Sequence, residues 1–196
     1  TSHDIFSSEP AITIGDTQAS FQLPMFIAMD RPKHDEQRKV VGPVTGAENL
    51  RHFEPIIRER TIDVLDNLPV GNTFDWVESV SIELTTRMLA TLFDFPFAER
   101  RKLTRWSDVA TAIPGMQIID TEEQRQQELL GCLEYFTGLW NERVNRAPGN
   151  DLVSMLAHGE ATRNMPPLEY LGNLVLLIVG GNDTTRSTMT ASALAL

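Results

Sequence analysis

Residues 174–186 read LVLLIVGGNDTTR, and the fold follows from this stretch. The unbroken aliphatic run from 174 to 179 is too apolar for a surface helix, so it predicts a helix buried on most sides. The run meets Gly180-Gly181, then Asn182, Asp183, Thr184 and Thr185. A glycine inside a helix costs roughly 1 kcal/mol relative to alanine. Burial of Asp183 costs more unless a partner compensates it. Two such costs within one turn point to chemistry at that turn. A threonine hydroxyl reaches the carbonyl four residues earlier, so Thr184 is expected to address Gly180 and to open the backbone ladder locally, as kinked helices do. Absent side chains at Gly180 and Gly181 then leave a groove, and Asp183 with Thr184 makes a proton-delivery site beside it. Close helix packing at the glycines and a polar seam at the threonines account for the same residues, and composition alone leaves both open.

The helix that carries this turn is expected to start after Pro166-Pro167 and to continue to Leu196, about 30 residues or roughly 45 Å. Upstream, periodicity and breakers predict helices over 32–44 (interrupted at Gly42-Pro43), 47–67, 77–93, 97–112, 122–146 and 151–157. The expected inward stripes are Leu50, Phe53, Ile57, Val64 and Leu65 on the second, and Val77, Val80, Leu84, Met88 and Leu92 on the third. Residues 1–30 read as an apolar loop region punctuated by Pro10, Gly15 and Pro24. No repeat, low-complexity tract or linker is visible. The expected class is all-α, a single domain over 1–196.

The net charge is −10, from 27 acidic against 17 basic residues. Phosphate binding needs a basic surface, so nucleic acid is excluded as a partner. One cysteine excludes an internal disulfide framework, and no apolar run approaches the roughly 20 residues of a membrane span. A soluble cytoplasmic protein is expected. The chain has no initiator Met and ends in TASALAL without a helix stop signal, which predicts a piece of a longer protein, truncated at both ends.

A second motif lies upstream. Residues 30–38 read DRPKHDEQR, which places His34 and Arg38 four apart on one helix face. A cationic pair suits a carboxylate. The two motifs stand about 145 residues apart in an all-helical chain. Together they resemble the cytochrome P450 monooxygenases, whose long distal helix carries Ala/Gly-Gly-x-Asp/Glu-Thr-Thr/Ser and whose early helix often carries Asp-Pro-Pro-x-His-x-x-x-Arg. Arg31 departs from the second pattern, where proline is usual. Residues 26–41, 74–111 and 178–186 further resemble the bacterial medium-chain alkane hydroxylases within that family.

The resemblance implies haem b held by a cysteine thiolate that favours O–O cleavage. It implies an oxygen-binding groove at Gly180 and Gly181, proton steering by Asp183 and Thr184, and a propionate contact from His34 and Arg38. Substrate would be an alkane or related aliphatic compound hydroxylated at its terminal carbon with O2, with a ferredoxin and a ferredoxin reductase supplying electrons. Candidate substrate contacts are Ile14, Leu23, Met116, Ile118, Leu176 and Val179, since apolar walls suit an apolar chain. Cys132 sits among apolar residues of its helix and reads as core. No metal ligand is therefore expected in this chain, the cysteine ligand lies beyond Leu196, and the piece alone should be inactive. Two alternatives stand: a cytochrome P450 acting on a terpene, fatty acid or ring compound, and a helical small-molecule-binding module without catalysis.

Overall fold

In the computed structural model, which describes residues 5–12 and 21–196, every regular element is helical. The helices are α1 (Lys33–Val41), α2 (Ala47–Asp66), α3 (Glu83–Leu92), α4 (Arg101–Thr111), α5 (Glu122–Arg143), α6 (Leu152–His158) and α7 (Pro167–Ala195). Short 3-10 turns at Phe26–Ala28, Gly42–Thr45 and Phe97–Glu99 join them. Local chemistry sets the boundaries. Pro167 opens α7. The Thr121 hydroxyl accepts the Gln124 amide at the start of α5, and Asp151 accepts the Ser154 amide at 2.9 Å at the start of α6. Gly42 ends α1 and passes the chain into a 3-10 turn.

α7 is the axis of the molecule. In its first half Tyr170, Leu171, Gly172, Asn173, Leu174, Val175 and Ile178 are all buried, so the helix is enclosed rather than amphipathic. α3, α4 and α5 pack along it. Phe93, Phe95, Trp106, Tyr135 and Phe136 form the aromatic centre between α3, α4 and α5, with Phe95 stacked on Tyr135 at 4.9 Å and edge-on to Trp106. Cys132 is fully buried in the same cluster, and burial pushes its thiol pKa up. The basic group at Arg100, Arg101, Lys102 and Arg105 is neutralised locally: Arg100 and Arg101 pair with Glu83, Lys102 with Glu99, and Arg105 with Glu128.

Two expectations need correction. The predicted helix over 77–93 is a π-helix at Val77–Ile82 followed by α3. One wide π turn rotates everything after it, so the deeply buried side of α3 is Thr85, Thr86, Leu89 and Ala90, while Leu84, Met88 and Leu92 are only half-buried. On α2, Phe53 and Val64 are buried, but Leu50, Ile57 and Leu65 lie on the surface. His158 is half-buried, its ring nitrogens lying against the carbonyls of Ser154 and Arg146.

α1 is fixed to the first half of α7 by a buried polar knot. Gln37 donates to Glu169, Lys33 pairs with the same carboxylate at 2.7 Å, and Asn173 donates to the Gln37 carbonyl oxygen at 2.9 Å. Asn173 Oδ1 also accepts the Phe26 amide at 2.8 Å, which brings the chain before α1 onto the same helix. Gln37, Glu169 and Asn173 are each nearly or fully buried, and each has its partners.

Candidate active site

The turn at 180–184 divides its residues between two sides of α7. On one side the Thr184 hydroxyl donates to the Gly180 carbonyl at 3.0 Å. A β-carbon placed on Gly180 would meet nothing within 4 Å, and Gly180, Thr184 and Thr188 are all exposed. This side is a strip of small residues open to any flat group. The back-bond arises without a break in the helix, because α7 is α-helical without interruption from Pro167 to Ala195. The expected local opening of the ladder is therefore absent. Gly181 serves the other purpose: a β-carbon there would lie 2.7 Å from Leu89 Cδ2, so this glycine admits α3. The two glycines therefore differ: Gly180 borders open space, and Gly181 packs against α3.

Asp183 turns the other way, onto α4. Its Oδ1 accepts from Arg186 Nη2 at 2.8 Å, from the Ser107 hydroxyl at 3.3 Å and from Asn182 Nδ2 at 3.5 Å. Its Oδ2 has no hydrogen bond among the described residues. Arg186 also reaches Asp108 of α4 at 3.1 Å. Asp183 is only half-buried, not enclosed as expected, and its cation Arg186 lies one turn away on its own helix, a pairing at i,i+3.

On α1, His34 Nδ1 lies 2.8 Å from the Phe26 carbonyl. A carbonyl only accepts, so Nδ1 carries the hydrogen, and Nε2 donates to a carboxylate when the ring is an imidazolium. Arg38, one turn on, is exposed and has no ion pair among the described residues. His34 is half-buried and likewise has no ion pair among the described residues.

No family model matches the chain. It is 29% identical over 199 residues to the linalool 8-monooxygenase of Pseudomonas putida, covering 99% of this chain and 48% of that protein. It is 26% identical over 200 residues to the methyl-branched lipid omega-hydroxylase of Mycobacterium tuberculosis, covering 98% of this chain and 46% of that protein. Among solved structures, CYP153D17 of a Sphingomonas species superposes with a TM-score of 0.79 at 49% identity, covering 94% of this chain and 46% of that one. The chain belongs to the cytochrome P450 family. It spans about half the length of the curated relatives it matches.

Cytochrome P450s are haem-thiolate proteins, so haem b is the cofactor of this protein. The residues of this P450 chain fit such a group in two respects: α7 has an open strip of small residues at Gly180 and Thr184, and α1 has a His/Arg pair with no carboxylate partner among the described residues. Cys132 is enclosed by Leu129, Phe136 and their neighbours and is core, as expected. No helix among the described residues of the P450 chain is long and apolar enough to cross a membrane.

The apolar candidates are dispersed along the P450 chain. Leu23 packs against the core and lines a cleft of about 240 Å³ with Pro24, Met25, Met29 and Lys33. Leu176 and Val179 are half-buried on α7. Met116 and Ile118 are exposed in the connection between α4 and α5, at 61% and 38%. Ile14 lies outside the described residues. Four residues around Asp183 escaped the sequence analysis. Arg186 carried a signal, its i,i+3 spacing. Ser107, Asp108 and Thr85 carried none, because tertiary packing alone brings them to α7.

Proposed function

We propose that the whole protein is a haem-thiolate monooxygenase that hydroxylates the terminal carbon of medium-chain alkanes or related aliphatic compounds. It uses O2 and electrons from a ferredoxin and its reductase. The carrying observation is the open Gly180 face with the Thr184 hydroxyl turned onto its carbonyl. Identities of 49% and 47% to two CYP153 structures support the subfamily reading.

When bound, haem supplies the activation of dioxygen. This chain's residues do the rest. His34 and Arg38 would hold the propionates, a carboxylate-matched pair with no acid partner among the described residues. Gly180 leaves the room for the reacting groups. Thr184 presents a hydroxyl at that room, fixed by its bond to Gly180, and from there it positions a proton donor. Asp183 takes protons at Oδ2 and passes them on. Leu176 and Val179, with Leu23, Ile14, Met116 and Ile118, would supply the apolar wall.

The test is product analysis with the haem-loaded full-length protein, offered octane and linalool in parallel. Octan-1-ol as the main product supports the reading. Turnover of linalool without octan-1-ol overturns the substrate assignment and leaves the terpene alternative. Absence of a cysteine-ligand loop from the gene beyond Leu196 would sink the monooxygenase reading altogether and leave a helical binding module.

A further inference from the structure

We propose that Asn182 is a positioning residue for Asp183: locked by Thr85 where the π segment passes into α3, its amide aims the acid. The proposal deepens the proposed function and rests on Asp183 being the proton-relaying carboxylate.

Asn182 is fully buried. A buried primary amide needs partners at both ends. A carboxylate only accepts, so the NH2 of Asn182 must face Asp183, and it lies 3.5 Å from Oδ1. That leaves Oδ1 of Asn182 for the Thr85 hydroxyl, which donates to it at 3.0 Å. Thr85 is itself buried and also lies against the Ser81 and Ile82 carbonyls. Its single hydrogen serves Asn182 best. The amide oxygen has no other donor among the described residues, and the Ile82 carbonyl already takes the Thr86 hydroxyl at 2.6 Å. The orientation of the amide is thereby fixed from α3.

All three donors to Asp183 converge on Oδ1, which keeps Oδ2 as the oxygen that exchanges protons. Of these donors, Arg186 is partly exposed and shared with Asp108, and the Ser107 hydroxyl rotates freely about its C–O bond. Asn182 alone is both fully buried and held at its far end. It undergoes no ionisation: the proton arrives at and leaves Asp183 Oδ2, and the amide keeps the carboxylate from turning that oxygen inward.

The experiment uses the full-length haem-loaded enzyme as Asn182→Leu, Thr85→Val, Thr86→Val and Asp183→Asn. Three quantities are measured: the fraction of consumed reductant recovered as hydroxylated product rather than hydrogen peroxide, the solvent deuterium isotope effect on turnover, and the Asp183 rotamer in variant crystal structures. Asn182→Leu should lower the product fraction several-fold, raise the isotope effect and release the carboxylate from Ser107. Thr85→Val should move the same quantities less. Thr86→Val, which loses a buried hydroxyl bonded to Thr104, should lose thermal stability and leave the product fraction unchanged. If Asn182→Leu retains both the product fraction and the Asp183 rotamer while Asp183→Asn loses activity, the positioning role is wrong. If Asp183→Asn itself leaves the product fraction intact, the underlying proton-relay reading fails. Should Asn182→Leu not fold, Thr85→Val decides alone, and a wild-type product fraction in it overturns the proposal.

Discussion

Gly172 of α7 lies so close to Pro24 that a β-carbon on the glycine would fall 2.0 Å from the proline carbonyl oxygen. The segment before α1 therefore crosses α7 at backbone contact distance. The obstructing atom is main chain, itself anchored through Phe26 to Asn173. Gly172→Ala is expected to destabilise the protein by about 2 kcal/mol or more, because the clash has no flexible side chain to relieve it. Chemical denaturation with an unchanged slope would measure it.

The adjacent glycines of the active turn should respond oppositely. Alanine at Gly180 meets open space and gains helix propensity, so Gly180→Ala should stabilise by up to about 1 kcal/mol. Alanine at Gly181 must displace Leu89, which is almost fully buried, so Gly181→Ala should be less stable than Gly180→Ala by about 1–2 kcal/mol. Activity should rank them the other way, since only Gly180 borders the proposed reaction space. Paired melting curves and product yields distinguish the two.

Thr184 is expected to act through its hydroxyl. Thr184→Ser keeps the group that bonds Gly180 and should retain most of the product fraction. Thr184→Val removes it and should divert electrons to hydrogen peroxide several-fold more, with little change in stability, because the side chain is exposed. Peroxide and product measured together against reductant consumed give the answer. Unchanged product fraction in Thr184→Val would remove the residue from the mechanism.

Glu83 should dominate the acid limb of stability. Burial pushes its pKa up, but hydrogen bonds from Arg87 and Arg100 and the charges of Arg100 and Arg101 outweigh burial and hold it below the usual carboxylate range. A lowered folded pKa means that the stabilisation is complete above the ordinary glutamate value of about 4.3 and is lost as pH falls through the folded value. Glu83→Gln should cost about 2 kcal/mol at neutral pH, since it leaves three guanidinium groups without their shared partner. Its stability should also fall less steeply than wild type below about pH 4.3. Denaturation midpoints measured across that range would check both.

The start of α7 was legible because local chemistry writes it, with Pro166-Pro167 standing at its first turn. The back-bond from Thr184 to Gly180 was legible for the same reason, since both atoms lie within one turn. The π segment at Val77–Ile82 was not, because one extra residue per turn leaves hydrophobic spacing nearly unchanged while rotating all that follows. That rotation brings Thr85 rather than Leu84 to Asn182. Ser107, the partner of Asp183 on α4, and Asp108, the partner of Arg186, were hidden because they lie 76 and 78 residues away from those partners along the chain. Surface Leu50 and Ile57 show the converse: a clean apolar stripe records a preference for burial, and packing within the described residues does not satisfy it.

The knot at Glu169 acts as a phase lock. Eleven residue steps of uninterrupted helix lead from Glu169 to Gly180, about 17 Å of rise at 1.5 Å per residue. The knot fixes α1 to one end of that interval, and the glycine strip is read out at the other. Removing a single residue between them would swing the strip by about 100° around the helix axis, away from the side that α1 addresses. The length of this interval is therefore fixed whatever side chains it carries.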